Sequence, residues 1–124
     1  MTSDVRDPET YAVIGAAMEV HNRLGHGFLE AVYHAALAIE LARSEIPFER
    51  ERALAIAYRD TVLPCLFRAD LVCFDGLLVE LKANVHLGKA DEAQIVNYLK
   101  ASGLKKGLLL NFGSEKLEYR RFVF

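Results

Sequence analysis

The sequence predicts an α/β domain, a mixed β-sheet flanked by helices in the order α-α-β-β-β-α-β-β. Three observations carry this. Two helix-patterned segments open the chain, three extended segments follow with turn signals between them, and a further helix separates the third of these from two more strands. A strand that continues through a helix into another strand implies a crossover to a parallel neighbour, so the sheet is expected to mix both directions.

The first helix is read in "DPETYAVIGAAMEVHNRLG". Asp7 can cap it, Pro8 suits its first turn, and Gly25 can end it. Tyr11, Ile14, Met18 and His21 recur at helical spacing and are expected to form its core-facing stripe. The second helix, rich in Ala and Leu, is expected over 28–44, and Ile46-Pro47 stops it because a residue before proline avoids the helical region. "FERERALAIAYR" becomes alternating near its end, Asp60-Thr61 reads as a turn, and "VLPCLFRADLVCF" and "LLVELKANV" flank the hairpin signal Asp75-Gly76. A third helix lies in "GKADEAQIVNYLKASG", with Ala93, Val96 and Leu99 as its stripe and Gly103 as its stop. "LKKGLLLNFG" reads as a buried strand and "LEYRRFVF" as a last one, whose apolar end could be an edge seeking a partner.

At 124 residues, one domain over 1–124 is expected, large enough for an unstapled core. No apolar run is long enough to span a membrane, and the N-terminus lacks the pattern of a signal peptide, so a cytoplasmic protein is the default. Cys65 and Cys73 both sit in apolar surroundings and read as buried thiols, without disulfide or zinc spacing. Fifteen Lys and Arg against seventeen Asp and Glu give a net charge of −2. That does not advertise a nucleic-acid binder, unless some of the acids hold a divalent cation.

The stretch "VELKANV" raises the functional question. Glu80 and Lys82 stand two apart on a strand that otherwise reads as buried, so both leave one face of the sheet. Burying charge is costly unless it is paired or binds something. Asp70 is the other acid in reach, and the hairpin decides whether it meets Glu80. A two-residue turn would set Phe74 opposite Leu77 and Asp70 opposite Leu81, pointing Glu80 away. A three-residue loop, Phe74-Asp75-Gly76, puts Asp70 directly across from Glu80, with Cβ atoms about 5 Å apart. The three-residue loop is expected, with Gly76 at its left-handed third position. Two carboxylates that close repel when ionised, and a hard divalent cation removes the repulsion. The same three residues also admit a plainer reading, a Glu80–Lys82 ion pair on a solvated face with Asp70 incidental.

Two more patterns bear on this choice. "GFLEAVY" spells Gly27-x-x-Glu30-x-x-Tyr33, and "QIVNY" spells Gln94-x-x-x-Tyr98. With "FRAD" and "VELKA", these resemble the GxxExxY family of the PD-(D/E)XK nuclease superfamily over nearly the whole chain. The resemblance implies a restriction-endonuclease-like core and a Mg²⁺-dependent phosphodiesterase, with Mn²⁺ as a substitute, acting on DNA and in some relatives RNA. It implies Asp70 and Glu80 as metal carboxylates, the Leu81 carbonyl as a further ligand, and Glu30 as a helix-borne acid near the metal. Lys82 would orient or activate the attacking water, with Gln94 in support. Similar sequences often carry His three positions before the Gln, where this chain has Asp91.

Several residues keep two readings. Tyr33 and Tyr98 are core phenols or nucleic-acid contacts. Arg68 and Lys89 belong to a phosphate-contacting rim or a solvated surface. His21, His26, His34 and His86 show no ligand spacing and read as structural or solvent-facing. Three functions follow: a metal-dependent nuclease foremost, a non-catalytic nucleic-acid- or protein-binding module on a nuclease fold, or a subunit of a larger assembly, with a homodimer the simplest case.

Overall fold

The computed structural model describes residues 7–124. Its elements are α1 (Pro8–Leu24), α2 (Glu30–Arg43), β1 (Phe48–Tyr58), β2 (Thr61–Cys73), β3 (Leu77–Lys82), α3 (Lys89–Ser102), β4 (Lys106–Asn111) and β5 (Glu118–Val123). The order is the expected one. The five strands lie side by side in chain order, and only β3 and β4 run parallel, joined through α3.

Local chemistry sets the helix ends. The Asp7 carboxylate accepts from the Glu9 N–H at 3.2 Å and the Thr10 hydroxyl at 2.7 Å. Gly25, at φ 71°, closes α1 through its N–H to the His21 carbonyl. The buried face of α1 is Thr10, Val13, Ile14, Ala16, Ala17, Val20 and His21. The expected stripe was therefore half right: Tyr11 is 71% exposed and Met18 41%, because the helix is turned to bring its small residues against α2 and the sheet. In α2, which begins two residues later than expected, Tyr33, Leu37 and Leu41 are buried. The α3 stripe is likewise rotated. Ile95 and Leu99 face the sheet, while Ala93 is exposed and Val96 only partly covered. Gly107 on β4 permits this close approach, since a Cβ there would lie 2.9 Å from Leu99 Cδ1.

Helices cover both faces of the sheet. On one, α1 and α2 pack on Leu71, Cys73, Leu77, Val79, Leu81, Leu108 and Leu110. On the other, Ile95 and Leu99 of α3 pack on Ala69, Val72, Leu78 and Leu109. The tip of the β1–β2 ribbon is an Arg59-Asp60 turn, one residue earlier than expected. The ribbon projects beyond the helices, which is why Cys65 is exposed and not the buried thiol the sequence suggested. Cys73 is buried, and that burial pushes its thiol up to about 12.

The β2–β3 hairpin has the expected three-residue loop, with Leu71 paired to Val79, Val72 to Leu78 and Cys73 to Leu77. Its conformation differs from expectation. The left-handed residues are Phe74 (φ 55°) and Asp75 (φ 57°), not Gly76. The Gly76 N–H closes the turn onto the Cys73 carbonyl at 3.1 Å, and the Phe74 N–H stays committed to the Pro47 carbonyl. β3 ends at Lys82, short of Val85, because the buried Asn111 amide captures the next stretch of backbone. It accepts from the Asn84 N–H and donates to the Asn84 carbonyl.

Candidate active site

In a regular strand, side chains alternate between faces. Leu71 and Cys73 obey this on the α1/α2 face and Val72 on the α3 face, yet Ala69 also packs on the α3 face. The alternation therefore breaks at Asp70. Opposite it, Glu51 takes φ 52° and drops out of the β1–β2 pairing, although the register is the same on both sides of the gap. β1 leaves the regular pairing at this point, and such irregularities re-aim a side chain. Asp70 is swung toward α2, into the opening where β2 and β3 separate beyond the Leu71–Val79 pair.

Two hydrogen bonds from backbone N–H groups to these carboxyl groups bridge β2 and β3 in that opening. The Asp70 N–H donates to Glu80 Oε2 at 2.9 Å, and the Leu81 N–H donates to Asp70 Oδ2 at 2.8 Å. A strand residue points its N–H and C=O to the same edge, so the Leu81 carbonyl also lies on the β2 side of β3. Glu80 is buried, at 6% exposure. Burial, reinforced by the Asp70 charge and opposed by the Asp70 N–H and Lys82, pushes its carboxyl up to about 8. Without a cation, Glu80 therefore holds its proton at neutral pH.

Lys82, half-buried, points to α3. Its Nζ donates to Gln94 Oε1 at 3.0 Å and stands 4.0 Å from Asp91 Oδ1. It is not paired directly with Glu80, so the plain ion-pair reading of the strand fails. Asp91, the departure from the resembling pattern, serves the fold as well. Its carboxylate accepts from the Gly88 N–H at 2.9 Å and fastens the start of α3.

From the opposite side, α2 offers Glu30 and His34, four residues apart on one helix face. His34 Nε2 lies 3.7 Å from Asp70 Oδ1 and 3.8 Å from Glu30 Oε1. Ligand atoms of Glu30, His34 and Asp70 all fall within 4.8 Å of one another. Asp70 joins the two halves, one oxygen toward His34 and the other on the β3 backbone. Sequence reasoning missed His34 because no second histidine accompanies it. The signal was available only as its spacing from Glu30.

These groups fit a hard divalent cation. The donors are mostly carboxylate oxygens, one imidazole nitrogen completes them, and the buried Glu80 carboxyl lacks a cation close enough to ionise it.

The remaining candidates divide. Tyr33 is fully buried, its hydroxyl donating to the Gly25 carbonyl and its ring stacked on Phe112. This excludes it as a nucleic-acid contact: it has no surface to offer, and it braces the loop that begins α2. Tyr98 stacks on Phe67 at 3.4 Å between centroids. Burial and the charges of Glu80 and Asp70 push its phenol up, so it stands at the margin of the site. Arg68 and Lys89 are exposed. Of the other histidines, His21 is buried with Nε2 at 2.9 Å from the Ser114 carbonyl oxygen, while His86 is on the surface beside Glu118. A cavity of about 480 Å³ lies past the ends of β3 and β4, lined by His26, Val85, His86, Lys116 and Glu118 among others. Asp70, Glu80 and Lys82 do not line it. Asp70 and Lys82 are partly exposed, while Glu80 is buried.

A five-stranded mixed sheet clasped by helices, with an acidic centre and a lysine on its central hairpin, defines an α/β protein of the restriction-endonuclease-like kind. The model for the PD-(D/E)XK nuclease superfamily matches residues 7–122, and the chain belongs to that superfamily. Nucleases of the superfamily generally use divalent metals and act on nucleic acid. No curated protein matches the chain. Among solved structures, the crystal structure of SSO0001 is similar in fold, with a TM-score of 0.57 at 17% identity over 75% of this chain. The match covers 48% of that chain, about half its length. Among the described residues, no helix is long and apolar enough to cross a membrane.

Proposed function

We propose that the protein is a Mg²⁺-dependent nuclease of the GxxExxY family, hydrolysing phosphodiester bonds of DNA, as a single domain over 1–124 acting in the cytoplasm. The observation that carries this reading is the convergence of two carboxyl groups between β2 and β3, Glu80 on the Asp70 N–H and Asp70 on the Leu81 N–H, with Lys82 held beside them by Gln94. Asp70, Glu80 and the Leu81 carbonyl would hold the cation, with Glu30 and His34 completing the donor set from α2. When bound, the cation would supply Lewis-acid stabilisation of the charge that develops on a phosphoryl oxygen.

The chain's own residues do the rest. Lys82 orients the water whose oxygen attacks phosphorus as the P–O ester bond breaks, and its charge offsets the negative charge of that transition state. Gln94 and Asp91 restrict where the Lys82 ammonium can sit, the preorganisation such stabilisation needs. Arg68 and Lys89 serve as exposed phosphate contacts at the rim, and Tyr98 sits where a neighbouring nucleotide would pass.

Cleavage assays on single-stranded, duplex and branched DNA with Mg²⁺ or Mn²⁺ test this. The expected result is metal-dependent cleavage that Asp70→Asn abolishes and Lys82→Ala sharply lowers. Nucleic-acid binding with no cleavage of any substrate, and no metal affinity by calorimetry, would instead support a binding module on this fold.

A further inference from the structure

Phe67 of β2 and Tyr98 of α3 form a stacked aromatic pair, with ring centroids 3.4 Å apart and planes 19° from parallel. Both residues are partly exposed. The pair stands at the edge of the acidic centre. Phe67 lies three residues before Asp70 on β2, and Tyr98 lies four after Gln94, the residue that holds Lys82. Four residues of helix advance about 6 Å, so Tyr98 stands one turn beyond the support of the Lys82 ammonium. The charges of Glu80 and Asp70 reach its phenol, which places the ring close to both acids. The two rings brace one another from separate elements, so little ordering is needed when a further ring stacks on the pair.

Charge around the site is the second observation. A DNA duplex presents a negative charge about every 1.7 Å of its axis and is held largely by cations on its phosphates. Here cations are few. Residues 53–67 of the projecting ribbon hold two charges, Arg59 and Asp60, adjacent at its tip and opposite in sign. Beside Glu30 the start of α2 presents apolar groups, with Leu29 81% exposed and Phe28 47%. The cations on β2, β3 and the first turn of α3 are Arg68, Lys82 and Lys89, and Lys82 is engaged with Gln94 and Asp91. That supply suits the phosphates of one strand and not the two rows of a duplex. Single strands are held in another way, by aromatic side chains on which their bases stack. Within a duplex each base face is already covered by its neighbours, so the Phe67–Tyr98 pair finds a partner only in an unpaired strand.

Resting on the nuclease reading above, we propose that the site takes an unpaired DNA strand, either free or as the single-stranded arm of a branched molecule, and that Phe67 is the residue that selects it. The Phe67 ring, backed by Tyr98, stacks on a base of that strand. At about 3.4 Å per nucleotide of stacked strand, the 6 Å from Gln94 to Tyr98 puts this base one or two nucleotides from the scissile phosphate.

Fluorescence anisotropy tests this, with Ca²⁺ in place of Mg²⁺ and three labelled probes. They are a single strand of about 15 nucleotides, near the upper end of known single-strand site sizes, the same sequence as a duplex, and the same strand carrying consecutive abasic sites. The single strand is expected to bind about tenfold or more tightly than the duplex, and the abasic strand, which keeps every phosphate, about tenfold or more weakly than the intact one. Phe67→Leu, which keeps an apolar side chain at the margin of the core, should lower single-strand affinity about fivefold or more and leave duplex affinity unchanged. Tyr11→Ala, an exposed aromatic on the end of α1 that meets Lys106 at the start of β4, should change neither. Equal affinity for single strand and duplex, no loss at abasic sites, or a folded Phe67→Leu that binds single strand as the wild type does would each overturn the proposal. The abasic comparison uses the wild-type protein and stands even if Phe67→Leu does not fold. Metal-dependent cleavage of the duplex in Mg²⁺, alongside any of those results, would leave the nuclease reading in place. No binding and no cleavage of any of these DNAs would overturn both.

Discussion

Replacing Glu80 by Gln should make the metal-free protein more stable in alkaline solution while removing its metal site. The buried Glu80 carboxyl titrates at about 8 in the folded protein against an ordinary 4.5. A raised acid favours the folded state most below its unfolded value, so this stabilisation is complete below pH 4.5 and is lost as pH rises through about 8. At 1.36 kcal/mol per pH unit of displacement, the full difference is at most about 5 kcal/mol, and coupling to Asp70 shares part of it. The amide introduced by Glu80→Gln can accept from the Asp70 N–H as the carboxyl does, without ever ionising. Urea unfolding in EDTA is the assay. At pH 5 the two proteins should have similar stability; at pH 8.5 Glu80→Gln should be the more stable by a few kcal/mol. Other titrating groups are common to both and cancel in the difference. Mg²⁺ should restore stability at pH 8.5 to the wild type alone. Equal stability of the two proteins at pH 8.5 without metal would refute the claim that burial and Asp70 hold this carboxyl protonated.

Three further outcomes are expected. Lys82→Ala should lower cleavage by about 10²- to 10³-fold, the scale of removing one preorganised transition-state donor, with Mn²⁺ affinity by calorimetry nearly unchanged. His34→Gln should weaken Mn²⁺ binding about tenfold or more, since it removes a group set against both Asp70 and Glu30; unchanged affinity would remove His34 from the site. Gly113→Ala should destabilise by about 1–3 kcal/mol in thermal unfolding, because its Cβ would overlap the Asn84 backbone. Gly107→Ala should cost less, since it meets the movable ends of Leu99 and Ile95.

The order of elements and the parallel crossover were legible because hydrophobic period, Pro8, Pro47 and the capping glycines speak locally. The loop length at 74–76 was legible too, and it sets the register that brings the Asp70 region of β2 beside Glu80. What was not legible depends on tertiary packing. Helix rotation put Thr10 and Ala17 inside while Tyr11 went out, a choice made by how closely α1 must approach its neighbours. The left-handed pair Phe74–Asp75 displaced Gly76 from its expected role because the Phe74 N–H is held by the carbonyl of Pro47, just before β1 and distant in sequence. In the site, Asp70, Glu80, Lys82 and Gln94 could be read as a set, but the route of their convergence could not. The alternation that argued for one shared face breaks at Asp70, and the irregularity there brings in His34, whose only sequence mark was its distance from Glu30. Lys82 turned out to lean on Gln94 and Asp91, side chains from an element that begins seven residues after it.

Anomalous diffraction from crystals soaked in Mn²⁺ tests the centre of this account most directly. A single strong peak is expected between β2 and β3, within about 2.5 Å of carboxylate oxygens of both Asp70 and Glu80. A peak elsewhere, with Glu80 still bonded only to the Asp70 N–H and Asp70 to the Leu81 N–H in a protein that cleaves DNA, would contradict it.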